Sequence, residues 1–105
     1  MAQVPKEIIA NIQKFIDLVE KSGIHIDKAI LFGSYAKGLQ NMWSDIDLAL
    51  VSKNFEGNRY YDLDKLVDAC LAIDTNIAPL PYKTEDFTTD DLFVKEILKY
   101  GIQII

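Results

Sequence analysis

The chain has 105 residues, half of them hydrophobic, and a formal net charge of −5 from 11 Lys and Arg against 16 Asp and Glu. That length fits one domain, residues 1–105, and the apolar share sustains a core without disulfide or metal staples. The cations are scattered rather than run together, which argues against nucleic acid as a partner of the chain alone, and a single cysteine, Cys70, excludes an internal disulfide.

Residues 6–22 carry apolar side chains at helical spacing (Ile8, Ile9, Ile12, Phe15, Ile16, Val19) and predict a first helix, with Pro5 in its first turn and Gly23 past its end. Residues 28–32 (KAILF) are a short apolar run, expected as a buried strand that leads straight into Gly33-Ser34. A loop or short helical turn over 35–43 precedes a second strand at 45–51 (DIDLALV). A turn at 54–58 is followed by an expected long helix at 60–71, with Tyr60, Leu63, Leu66, Val67, Cys70 and Leu71 inward. A third strand is expected at 73–78, ended by Pro79 and Pro81. Thr89 or Asp90 caps a last helix at 91–100, which Gly101 stops. The closing GIQII is an edge strand or a docked tail. Strands alternating with helices predict an α/β arrangement, helices packed on a sheet.

The N-terminal stretch is charged and lacks the apolar run of a signal peptide, and no stretch approaches membrane-spanning length. The lone cysteine fits a reducing compartment. A cytoplasmic protein is the expectation.

The chemistry concentrates in two places. Side chains two apart on a strand share a face, so Asp45 and Asp47 stand side by side while Ile46, Leu48 and Leu50 bury the other face. Paired carboxylates repel each other, which raises a pKa or calls for a cation. Mg²⁺ prefers oxygen ligands and is commonly held by one or two carboxylates plus substrate phosphates. The bland reading is the polar face of a half-exposed strand, although Asp is disfavoured in strands. The second place is Gly33-Ser34: a glycine after a strand lets backbone approach a phosphate, and Ser34 adds a hydroxyl donor. Gly38 adds a second flexible point.

Gly33-Ser34-Tyr35-Ala36-Lys37-Gly38, followed by Ser44-Asp45-Ile46-Asp47-Leu48, resembles the signature of the DNA polymerase β-like nucleotidyltransferase superfamily. The match is to its minimal nucleotidyltransferases, the MNT-type antitoxins of bacteria and archaea, and it runs over nearly the whole chain. The resemblance implies an α/β (α+β) nucleotidyltransferase fold: a mixed β-sheet with helices packed on it. It implies two Mg²⁺ ions and ATP as substrate. Asp45 and Asp47 would be catalytic metal ligands, and Gly33, Ser34, Lys37 and Ser44 would bind the nucleotide. It also implies a third carboxylate on a neighbouring strand, for which Asp74 is the candidate, with Asn76 behind it. Two departures stand out. Lys37 replaces a common arginine, losing bidentate phosphate contact, and Ala78 stands where the family often carries Glu.

By the same resemblance, the expected activity is Mg-dependent transfer of AMP from ATP to a hydroxyl. The acceptor would be a tyrosine of a small helical HEPN-class partner, within a toxin–antitoxin pair. The alternative is a non-catalytic nucleotide- or partner-binding module. A chain this short leaves a nucleotide poorly enclosed, so a partner is expected to complete the site. The apolar C-terminal residues 102–105 are one candidate contact for that partner or for a homodimer. The remaining residues read more plainly. His25 is expected at the surface and Cys70 in the core. Trp43 and Tyr35 either stack on a base or pack. Asp62, Asp64 and Asp68 read as solvated charge.

Overall fold

In a computed structural model, which describes residues 4–41 and 43–105, nine regular elements of two or more residues alternate with one short 3-10 turn. Residues 1–3, and Met42 within the expected 35–43 loop, lie outside the described residues. The helices are α1 (Lys6–Lys21), α2 (Ser34–Lys37), α3 (Arg59–Asp64), α4 (Val67–Ile73) and α5 (Leu92–Tyr100). The strands are β1 (Lys28–Phe32), β2 (Ile46–Ser52), β3 (Ile77–Lys83) and β4 (Ile102–Gln103), in the order β3-β2-β1-β4. β1 runs antiparallel to β2 and β4, and β3 runs parallel to β2. The sheet is therefore mixed, as expected.

Strand parity sends alternate side chains to two cores. Ile46, Leu48, Leu50 and Ile77 join Ile12, Phe15, Ile16 and Val19 of α1 and Leu66 and Ala69 beside and within α4. Ile30, Ala49, Val51 and Tyr82 form a smaller core with Val94 and Ile97 of α5. Asp47 belongs by parity to this second face.

Three expectations are corrected. The helix expected at 60–71 is two helices broken at Lys65 and Leu66, and its buried face is led by a carboxylate. Asp62 is only 1% exposed, and its oxygens accept the N–H groups of Glu56 (2.8 Å) and Gly57 (3.0 Å). It is a turn-closing acceptor and not solvated charge. That rotation leaves Tyr60, Val67 and Leu71 exposed.

The third strand begins at Ile77 and runs through both prolines instead of ending at them. Ile46 N donates to Asn76 O (2.9 Å), which sets the parity of the parallel ladder. Residues 79 and 81 then turn their nitrogens away from β2, the placement an edge strand permits for proline. The last helix is capped by Asp91, whose Oδ1 accepts from Phe93 N (2.8 Å) and Val94 N (3.3 Å). Of the two forms expected for the C-terminal segment, the edge strand is found, paired to β1.

Candidate active site

Gly33 and the aspartates meet because β1 and β2 are antiparallel: the C-terminal end of β1 lies beside the N-terminal end of β2, with Phe32 opposite Asp47. Gly33 follows Phe32 with φ 72° and ψ −145°, a conformation open essentially to glycine alone. A methyl group built on its Cα would collide with Asp47 Oδ2 and stand 3.1 Å from Asp47 Cγ. The missing side chain is thus the space the carboxylate occupies. Gly38, at φ 73°, ends α2 in the left-handed conformation.

Ser34 opens α2, whose first-turn N–H groups have no partner within the helix. Asp45 sits one residue before β2 and is exposed, whereas Asp47 is part-buried. Burial raises the Asp47 pKa, and the neighbouring Asp45 charge raises it further. The ionised pair is therefore held at a cost that a cation would remove.

The other sequence candidates fall differently. Ser44 Oγ accepts from Asn41 N (2.9 Å) and Ser44 N donates to Asn41 O (3.1 Å), so Ser44 shapes the entry to β2. Lys37 reaches α5: its Nζ is 3.8 Å from Glu96 Oε1 and 5.6 Å from the Tyr100 ring centroid. Tyr35 is packed in the core, whereas Trp43 is 83% exposed.

Asp74 is not brought to the pair. It ends α4, where Oδ2 accepts from Asn11 Nδ2 (3.2 Å) and Oδ1 accepts from Asn76 N (2.9 Å). Among the described residues no group of three His, Cys, Asp or Glu side chains is placed to hold a metal ion. The strand that was to carry Asp74 starts three residues later, and the β3 residue paired with Asp47 is Ala78. Asp45 and Asp47 suit one hard cation shared with phosphate oxygens. They do not suit the two-ion set that included Asp74.

Sequence reasoning also missed a cavity of 170 Å³ between α2 and α5, lined by Phe32, Gly33, Lys37, Phe93, Ile97 and Tyr100 among others. Only the amphipathic pattern of 92–100 hinted at it.

A mixed sheet with a strand-ending glycine against paired carboxylates is the layout of a phosphate-handling transferase. The chain belongs to the nucleotidyltransferase domain family, whose sequence profile matches residues 12–104. It is 30% identical over 102 residues to a Methanocaldococcus jannaschii protein that carries the name "putative protein adenylyltransferase"; the match takes in 93% of this chain and 96% of that one. Its fold is similar to the crystal structure of a "putative nucleotidyltransferase" from Sulfolobus solfataricus. There the TM-score is 0.62 and the identity 20%, over 98% of this chain and 89% of the other, a likeness of fold. No helix among the described residues is long and apolar enough to cross a membrane.

Proposed function

We propose that this nucleotidyltransferase moves AMP from Mg·ATP to a hydroxyl of a protein, a tyrosine of a small helical HEPN-class partner, as the antitoxin of a toxin–antitoxin pair in the cytoplasm. The observation that carries the site is the seating of the Asp47 carboxylate against Gly33, which joins the phosphate-facing turn to the carboxylate pair. The protein acceptor is supported by the name of the Methanocaldococcus relative. The toxin–antitoxin setting rests on the resemblance of 33–38 and 44–48 to MNT-type antitoxins.

In this reading Asp45 and Asp47 hold the divalent cation against the triphosphate. Mg²⁺, when bound, supplies charge neutralisation at the phosphates and the departing pyrophosphate. Gly33 lets the chain approach the phosphates without a side chain in the way, and Ser34 donates its hydroxyl to them. The acceptor oxygen forms a bond to the α-phosphorus, the bond to pyrophosphate breaks, and the hydroxyl proton leaves to solvent or a partner base.

A second reading, a non-catalytic module that binds nucleotide or partner, is favoured by the meeting of only two carboxylates among the described residues. The experiment mixes the chain with a small helical HEPN-class protein, Mg²⁺ and ATP labelled at the α-phosphate. Label on the partner's tyrosine, lost in Asp45→Asn, is the expected result. Equal neutralisation of the partner by wild type and Asp45→Asn, with no label transferred, would sink the transferase reading.

A further inference from the structure

A two-ion site needs more ligands than a one-ion site. Paired catalytic ions lie about 3.5–4 Å apart, so the carboxylates that hold them must converge from adjacent positions. On a sheet those positions are set by register. On one side Asp47 is flanked by Phe32 of β1 and by Gly33, neither of which carries a ligand atom in its side chain. On the other side it is paired with Ala78 of β3.

Parity puts Ala78 on the Asp47 face, because its neighbours at 80 and 82, like Ala49 and Val51 of β2, join the core under α5. Adjacent strands are about 4.8 Å apart, so a carboxylate at 78 would share a cation with Asp47. One step back along the strands the neighbour of Asp45 is Asn76, whose side chain is an uncharged amide and whose backbone N–H donates to Asp74 Oδ1. The nearest carboxylate in sequence, Asp74, spends its oxygens on Asn11 and on that turn.

We infer that residue 78 sets the ion count of the site: with alanine there, the chain holds one divalent cation with its nucleotide and supplies no second ion to activate the acceptor hydroxyl. That activation falls to the acceptor protein. The inference rests on reading the site as a nucleotide site.

The test counts Mn²⁺ by electron paramagnetic resonance, at saturating non-hydrolysable ATP analogue, in wild type, Ala78→Asp and Asp74→Asn. The expected result is one ion per chain in the wild type, one in Asp74→Asn, which keeps an acceptor for the turn, and two in Ala78→Asp. Two ions in the wild type overturn the inference, as does a count that falls in Asp74→Asn or stays at one in folded Ala78→Asp. Failure of Ala78→Asp to fold leaves the other two counts to decide. Failure of the wild type to bind the analogue at all overturns the nucleotide-site reading itself and is a separate outcome.

Discussion

Replacing Gly33 by alanine separates two things that glycine does in this chain. The residue holds φ 72° and ψ −145°, and it leaves room for the Asp47 carboxylate. Strain from a side chain in such a conformation costs about 1–3 kcal/mol. In a domain of this size that lowers Tm by roughly 5–20 °C, at about 4–8 °C per kcal/mol. The new methyl also meets Asp47 Oδ2, so the carboxylate must leave its seat. Loss of one correctly placed ligand is expected to weaken Mg·ATP binding by at least ~10-fold, equivalent to about 1.4 kcal/mol.

Gly23→Ala is the control, because Gly23 has φ 103° and nothing within 4 Å of a new methyl. It should lose stability from strain and keep nucleotide affinity. Thermal unfolding and titration calorimetry with Mg·ATP on both variants decide the matter. Gly33→Ala binding Mg·ATP within about twofold of wild type, a difference of ~0.4 kcal/mol, would refute the Gly33–Asp47 argument.

Other outcomes follow from named contacts. Asp62→Asn replaces one of the two oxygens that accept Glu56 N and Gly57 N; bonds to charged acceptors contribute about 1.5–3 kcal/mol each, so urea unfolding should show a loss of about 2–3 kcal/mol. Gly101→Ala places a methyl against Ile97 O and 2.5 Å from Ile30 Cγ2; overpacking of that kind costs about 1–3 kcal/mol, read as an earlier urea midpoint. Asp47 has its pKa raised on folding, first by burial and then by Asp45. The folded chain therefore holds the Asp47 proton more tightly than the unfolded chain does. That contribution is fully present below the unfolded pKa and is lost as pH rises through the raised folded value. In EDTA at neutral pH, Asp47→Asn should be more stable than wild type, with the gap closing under acid; Mg·ATP should stabilise only the wild type. A gap that stays constant from pH 3 to pH 7, the span of carboxylate titration, would contradict the burial of Asp47.

The parts of this chain that were legible in sequence were those where local chemistry and tertiary placement agree. The apolar spacing of 6–22 and the short runs at 28–32 and 45–51 mark α1, β1 and β2 because these elements bury continuous apolar faces. Gly33-Ser34 and the resemblance of 33–38 and 44–48 singled out Asp45 and Asp47, and that the two stand side by side was legible through strand parity. The region from 60 to 83 was not, for two physical reasons. Asp62 turns inward to close a turn reached six residues earlier, a long-range demand invisible to periodicity. Pro79 and Pro81 read as strand terminators, yet an edge strand leaves its outward nitrogens unused. Misplacing β3 by four residues moved Asp74 onto the strand and hid Ala78 at the register position that matters.

Those same prolines limit how the molecule meets others. An incoming strand adds to a sheet by pairing with the outward N–H groups of the edge, and β3 has none at 79 and 81. Sheet-to-sheet zipping, the usual route by which open β edges aggregate, is blunted on that side. A protein meeting this side of the sheet would therefore be recognised through side chains rather than by extending the ladder from β3.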